Sequence, residues 1–159
     1  MRNSHEHGSN RLLDSQTLRQ TGKQFYMLNS TVRQYFEAWN SGDVHAVVDT
    51  FNAAGSYFDP TVPQGVSGSA LFALVQGFLR AFPDVTFEVV QAVDNGAGVV
   101  ATRWLMRGTN TGVLGDLQPT RRFVSLPGAD FFQISRDRIS SVHGYYDVRT
   151  LNSQLGLPS

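Results

Sequence analysis

The chain has 159 residues, of which 41% are hydrophobic, and this predicts one globular domain with a substantial core. Lysine plus arginine and aspartate plus glutamate both number 13, without runs of like charge, so nothing favours binding to nucleic acid or an anionic membrane. The absence of cysteine excludes disulfides, thiolate metal sites and a cysteine nucleophile.

The N-terminal residues 1–24 are polar and lack a repeating apolar pattern, so we predict a flexible arm. They lack the apolar stretch of a signal peptide, and no apolar run in the chain approaches the ~20 residues of a membrane span. The four histidines have no metal-binding spacing within the predicted fold. We therefore expect a cytoplasmic protein without a metal site, folded as a single domain over residues 25–159.

Helical patterns occupy the first half of this domain. Apolar residues from Leu28 to Trp39 recur at i, i+4, i+7, i+8 and i+11, the spacing of a helix that buries one face. Asp43 is the predicted N-cap of a short second helix. A third apolar stripe predicts a helix from about Ser69 to Pro83.

Strand patterns occupy most of the second half, where the apolar period changes to two. The predicted strands cover residues 85–93, 99–109, 124–134 and 138–146. Asp94-Asn95-Gly96 is a strong hairpin signal, and a short helix led by Asp147 ends the chain. We predict an α+β domain in which a curved antiparallel sheet wraps around the N-terminal helices, with a pocket between the two layers.

Asp130 is the main candidate for chemistry. The even positions from Val124 to Ile134 are largely apolar, so the Asp130 carboxylate falls on an apolar face. Burial can raise the pKa of such a carboxyl by up to roughly 3 to 5 units, which would make it a general acid/base near neutral pH. The alternative is a structural aspartate with a lowered pKa, held by Arg103, Arg107 or backbone amides.

Five further candidates lie on the predicted apolar faces. Trp104 and Met106 are either pocket wall or plain core. Asn110, at the end of the same face, is either a donor to a substrate carbonyl or a loop cap. Tyr35 and Trp39 belong to the buried stripe of the first helix, and the Tyr35 hydroxyl can point into the pocket.

Four candidates complete the predicted site. Phe132 is a predicted pocket wall. His143 is a candidate proton carrier near neutral pH, or a histidine satisfied within the sheet. Asp147 either caps the last helix or places its carboxylate near the pocket rim beside His143. Asp59 belongs to a turn, with a role at the pocket entrance as the alternative.

Several short stretches follow one another in a recognisable order. They are residues 32–43, Phe58-Asp59-Pro60, Gly108-Thr109-Asn110-Thr111-Gly112, Pro127-Gly128-Ala129-Asp130, Gly144-Tyr145-Tyr146-Asp147 and Leu155-Gly156. This set resembles the SnoaL-like polyketide cyclases of the nuclear transport factor 2-like superfamily, over roughly residues 27–157.

The resemblance implies a cone-shaped α+β fold of the nuclear transport factor 2-like or cystatin-like kind. It also implies a homodimer that needs no cofactor and takes a small hydrophobic molecule into an apolar pocket. In the characterised cyclases a pocket aspartate is the general acid/base of an intramolecular aldol ring closure on an aromatic polyketide ester. The resemblance carries that role to Asp130.

The chain departs from the family pattern at two positions. Asn110 stands where the Gly-Thr-X-Thr-Gly motif usually has histidine, and Val142-His143 stands where His-Trp is usual. His143 is then a possible replacement partner for Asp130.

Two other functions stay open. One is a non-catalytic module that binds a hydrophobic ligand. The other is an isomerase or hydrolase on the same scaffold; epoxide hydrolases of the superfamily need an Asp-Arg-Asp set, of which Arg103 and Asp130 supply only part.

Overall fold

A computed structural model of the protein describes residues 28–158, so the arm predicted over residues 1–24 lies outside the described residues. The helices are α1 (Ser30–Ser41), α2 (Val44–Asp49), α3 (Gly68–Ala81) and α4 (Val148–Leu155). The strands are β1 (Phe51–Phe58), β2 (Val66–Ser67), β3 (Thr86–Asp94), β4 (Val99–Thr109), β5 (Phe123–Ser135) and β6 (Arg138–Tyr146). Within residues 28–158, no helix is long and apolar enough to cross a membrane.

Side chains at the helix ends explain why the first two helices begin and end where they do. Asn29 caps α1 by accepting a hydrogen bond from the Thr31 backbone N–H at 3.0 Å. Gly42 follows α1 in the left-handed conformation, with φ 69°. Asp43 caps α2 by accepting from the Ala46 N–H at 3.0 Å, which confirms its predicted position.

The strands form one curved, six-stranded sheet with the order β2-β1-β6-β5-β4-β3. The four strands predicted from the sequence are β3 to β6, and they pair as antiparallel neighbours. The edge beyond them departs from the prediction, because β1 runs parallel to β6. A hairpin forces neighbouring strands to be antiparallel, but β1 and β6 are separated by most of the chain and no turn sets their relative direction.

The core lies between the concave face of the sheet and the helices. Inward-facing residues of β4 alternate with exposed or half-buried ones, as the period of two predicts. Tyr35 and Phe36 of α1 pack against Phe132 of β5 at ring-centroid distances of 5.2 and 6.0 Å. The predicted α+β architecture, with a sheet wrapped around N-terminal helices, is confirmed.

Candidate functional site

A cavity of about 540 Å³ lies between the helices and the concave face of the sheet. This volume falls within the range of pockets that bind small organic molecules. The walls are mainly aromatic and aliphatic, with a few polar groups among them. The lining residues used below are Tyr35, Trp39, Tyr57, Asp59, Thr61, Trp104, Met106, Asp130 and Tyr146.

Asp130 lies on the cavity face of β5 and is only 4% exposed. Burial raises the pKa of its carboxyl from 3.8 to about 7, because the charged form loses its hydration. The nearby indole N–H of Trp104 opposes this rise, and the negative charge of Asp59 adds to it. Because this pKa is raised into the neutral range, the carboxyl can both take and return a proton there, as a general acid/base must.

Three buried polar side-chain atoms in the described part of the chain have no hydrogen-bond partner in the protein: Asp130 Oδ1, Trp39 Nε1 and Trp104 Nε1. Trp104 Nε1 is near enough to Asp130 to influence its pKa, but the pair does not have hydrogen-bond geometry. Leaving such a group unpaired costs about 1 to 3 kcal/mol. The three residues that carry these atoms all line the 540 Å³ cavity, and none of them lines a larger surface depression of about 680 Å³ beside Gln34 and Glu37.

The arginines proposed as structural partners of Asp130 lie on the opposite face of the sheet. Arg103 is exposed and pairs across the strands with Ala129, the neighbour of Asp130. Arg107 donates to Glu88 at 2.8 Å. The alternative in which an arginine holds Asp130 is therefore wrong, because side chains of adjacent strand residues point to opposite faces.

A second carboxylate, Asp59, lies at the cavity beside two tyrosines that the sequence interpretation missed. Its Oδ2 accepts from the hydroxyl of Tyr57 at 3.2 Å and from that of Tyr146 at 3.3 Å. Burial first, and then surrounding negative charge, raise the pKa of both tyrosines, so both stay protonated. Asp59 therefore belongs to the predicted turn and also lies at the cavity, which the sequence analysis had given as the alternative.

Two glycines make room for this arrangement. A Cβ on Gly128 would overlap the Trp104 indole, and a Cβ on Gly144 would lie 3.1 Å from both Asp130 Oδ1 and the Tyr57 hydroxyl. Gly144 faces Asp130 directly across β5 and β6. The two glycines therefore let the aromatic rings and the carboxyl approach the strand backbone.

Six of the ten predicted site residues line the cavity and four do not. Those that line it are Tyr35, Trp39, Asp59, Trp104, Met106 and Asp130. Phe132 is outside the lining because its side chain is buried in the core against Tyr35 and Phe36. The other three are Asn110, His143 and Asp147.

Asn110 is a structural residue of the loop after β4, not a donor to the cavity. Its side-chain amide donates to the carbonyls of Gly112 at 2.9 Å and Ala81 at 3.3 Å. Its carbonyl oxygen accepts from the N–H and hydroxyl of Thr120 at 2.8 and 3.0 Å. Because these contacts occupy both ends of the amide, the loop-cap alternative describes the position and the substrate-donor prediction is corrected.

His143 lies on the outer face of the sheet. It pairs across the strands with Phe131, the neighbour of Asp130, and its ring stacks on Phe58 at 4.4 Å. The expectation that His143 faces Asp130 in the pocket is therefore corrected. Asp147 is exposed and caps α4, accepting from the Arg149 N–H at 3.0 Å, so its predicted place at the pocket rim is corrected as well.

An irregularity in β6 explains the missed tyrosine at position 146. Ile139 pairs with Ile134, but Ser141 pairs with Gln133, so Ser140 is an extra residue in the strand. Such a bulge reverses which residues face inward, and Gly144 and Tyr146 take the positions expected of His143 and Tyr145. Tyr57 is placed at the cavity by β1, which is not one of the four strands predicted from the sequence.

Comparisons with known proteins agree on the fold. A family model described as SnoaL-like polyketide cyclase matches residues 29–155. AclR, a candidate hydroxylase from Streptomyces galilaeus, has a TM-score of 0.71 and 24% identity over 82% of this chain and 85% of its own. IdmH, a candidate polyketide cyclase from Streptomyces antibioticus, has a TM-score of 0.68 and 24% identity over 80% of this chain and 96% of its own.

A third structure, from Catenulispora acidiphila, has a ketosteroid isomerase-like fold and was solved in complex with trimethylamine. Its TM-score is 0.69 and its identity 20%, over 81% of this chain and 94% of its own. Comparison with curated proteins finds no match. These likenesses show that the chain has the ketosteroid isomerase-like, or nuclear transport factor 2-like, fold.

Proposed function

The chain belongs to the SnoaL-like polyketide cyclase family, and on that premise we propose that it catalyses an intramolecular aldol ring closure of a polyketide ester. Asp130 is the general acid/base, and no cofactor takes part. The observation that carries the proposal is the Asp130 carboxyl, which is buried and unpaired at Oδ1, with a pKa raised to about 7 in an apolar cavity.

The reaction needs one group that first removes and then returns a proton. The Asp130 carboxylate takes a proton from a carbon next to a carbonyl, and the C–H electron pair becomes an enolate. The enolate carbon attacks a ketone carbon of the same molecule, forming a C–C bond while the C=O pair moves to oxygen. The protonated Asp130 then gives its proton to that alkoxide, so the cyclised product is an isomer of the substrate.

The groups around Asp130 support stabilisation of the enolate oxygen. The buried indole N–H groups of Trp39, beside Tyr35, and Trp104, beside Asp130, have no hydrogen-bond acceptor among the described residues, and in this proposal they donate to a ligand oxygen. Tyr35 lies close enough to Asp130 that burial, and then the Asp130 charge, raise the pKa of its hydroxyl, which therefore keeps its proton. Donors fixed in a water-poor cavity stabilise developing negative charge strongly.

We expect proton abstraction to depend on pH with a midpoint near 7, because only ionised Asp130 is a base and its pKa is raised to about 7. The rate should fall about tenfold per pH unit below that midpoint. The measurement is incorporation of deuterium next to the carbonyl of an aromatic polyketide methyl ester, followed by NMR in D2O from about pH 5 to pH 9. A midpoint near the ordinary aspartate value of about 4 would contradict the role of Asp130.

The non-catalytic alternative uses the same cavity. A binding module would hold the ligand through the apolar walls and the indole N–H groups, and it would not need a proton acceptor at position 130. Ligand binding without deuterium incorporation or cyclisation at any pH would favour this alternative. The unpaired Asp130 speaks against it, because an uncharged residue would hold an apolar ligand without the cost of a buried carboxyl.

A homodimer formed through the outer face of the sheet is part of the proposal. Phe131 and Tyr145 are 49% and 57% exposed there, and their rings pack edge to face at 5.8 Å. A second copy would cover this aromatic patch through a self-complementary interface. Size-exclusion chromatography with light scattering should show twice the chain mass at micromolar concentration, and Phe131→Glu should halve it. A monomeric wild type would contradict the dimer.

A further inference from the structure

Asp59 collects five hydrogen-bond donors, divided between its two oxygens. Oδ1 accepts from the Thr61 N–H and the Thr61 hydroxyl, both at 2.7 Å, and from the Val62 N–H at 3.1 Å. Oδ2 accepts from the hydroxyls of Tyr57 and Tyr146 at 3.2 and 3.3 Å. The loop therefore holds one oxygen, and the other oxygen orients the two tyrosines.

This arrangement determines whether the two tyrosine hydroxyls donate or accept hydrogen bonds toward the cavity. A hydroxyl has a single proton to donate and two lone pairs that accept. The protons of Tyr57 and Tyr146 are committed to Asp59. Since both residues line the cavity, their oxygens are available to a ligand as hydrogen-bond acceptors.

Another part of the cavity lining carries hydrogen-bond donors instead of acceptors. Trp39 and Trp104 carry indole N–H groups, which are donors only and are buried without a protein partner among the described residues. Asp130 lies near the tyrosines, because Asp130 Oδ1 and the Tyr57 hydroxyl are both 3.1 Å from the same point beside Gly144. These two oxygens are therefore no farther apart than twice that distance.

We propose that Asp59 determines which hydrogen-bonding group of a ligand is recognised at this part of the cavity, because it holds Tyr57 and Tyr146 as acceptors for a ligand hydroxyl. A carbonyl of the same ligand accepts from the indole N–H groups of Trp104, beside Asp130, and Trp39, beside Tyr35. The assignment of the carbonyl end rests on the proposed function, whereas the hydroxyl end rests on the Asp59 hydrogen bonds alone. Asp59 is a positioning residue that acts through the tyrosines.

The test uses three probes of similar shape. Hydroxyacetonaphthone has a phenolic hydroxyl at one end of a naphthalene and a methyl ketone at the other. Its methyl ether cannot donate, and unsubstituted acetonaphthone controls for size. We expect the wild-type protein to bind the hydroxy ketone about tenfold more tightly than either of the others, measured by calorimetry or naphthalene fluorescence. Equal affinities, or no binding of the hydroxy ketone, would overturn the proposal.

Asp59→Asn should reverse this preference. The three donors at Oδ1 select the carbonyl oxygen of the new amide, so its NH2 group takes the place of Oδ2 and donates to both tyrosines. Their hydroxyl protons are then free to point into the cavity, and the methyl ether should bind more tightly than the hydroxy ketone. The matched control, Asp147→Asn on the exposed α4 cap, should keep the wild-type preference.

The result separates this inference from the proposed function. Deuterium incorporation into the methyl ketone group reports on Asp130, whereas the hydroxyl preference reports on Asp59 and the tyrosines. A preference that reverses in Asp59→Asn, with deuterium incorporation unaffected by Asp130→Asn, would support the hydroxyl contact and refute the acid/base role. An unchanged preference in Asp59→Asn would refute the contact, whatever Asp130 does.

Discussion

Asp130→Asn is expected to lower kcat for ring closure by about a thousandfold, because general acid/base catalysis contributes roughly 10²- to 10⁴-fold and an amide cannot accept the proton. Asparagine has nearly the shape of aspartate, so the cavity and its affinity for the hydroxyacetonaphthone probe should change little. The loss should therefore appear in kcat and in deuterium incorporation, with a small effect on KM.

The matched control for this experiment is Asp147→Asn. Asp147 is exposed, caps α4 and does not line the cavity, and asparagine can also cap a helix, so this variant should keep full activity. His143→Asn is a second control, since the ring lies on the outer face against Phe58. Wild-type turnover in Asp130→Asn would refute the proposed mechanism. A thousandfold loss in His143→Asn would mean that the outer face takes part in the reaction.

Asp130→Asn is also expected to stabilise the fold above neutral pH. The Asp130 pKa is about 7 in the folded protein and near 3.8 when unfolded, so the folded state binds more protons between these values. Stability from this residue is fully present below about pH 4 and is lost as pH rises through 7. At 1.36 kcal/mol per pKa unit, the loss at pH 8 is at most about 4 kcal/mol.

Asparagine does not ionise, so the Asp130→Asn variant keeps its free energy of unfolding as pH rises. Urea unfolding should show the Asp130→Asn variant close to wild type at pH 4 and several kcal/mol more stable at pH 8. Asp147→Asn supplies the comparison of opposite sign, because hydrogen bonds from Thr150 and Arg149 lower the pKa of Asp147 and favour its charged form in the fold. An Asp130→Asn variant less stable than wild type at pH 8 would show that the carboxylate is paired.

Loss of activity together with gain of stability would identify Asp130 as a residue kept for function. A structural aspartate would show the reverse, since removing a paired carboxylate destabilises a protein. The two measurements thus test the same residue through independent readouts, and only the activity measurement needs a substrate.

The bulge in β6 limited what could be predicted about the site. Ser140 is one extra residue between the Ile139 and Ser141 pairs, and it turns Gly144 and Tyr146 inward in place of His143 and Tyr145. Alternation along a strand predicts a face only while the register is regular. Arg136 and Asp137 form the turn before β6 with positive φ values, but no nearby residue in the sequence marks the inserted position.

Local periodicity, capping residues and turn signals were sufficient to predict the α+β class, the helices, the strands β3 to β6 and the apolar environment of Asp130. They did not predict β1 and β2, which complete the other edge of the sheet. Which side chains surround Asp130 depends instead on the register and packing of the whole fold. Tyr57 lies on β1, which pairs in parallel with β6, a strand far along the chain. The side-chain amide of Asn110 is engaged in hydrogen bonds to Thr120 and Ala81. Contacts between residues far apart in the chain depend on register and packing, and no local pattern encodes them.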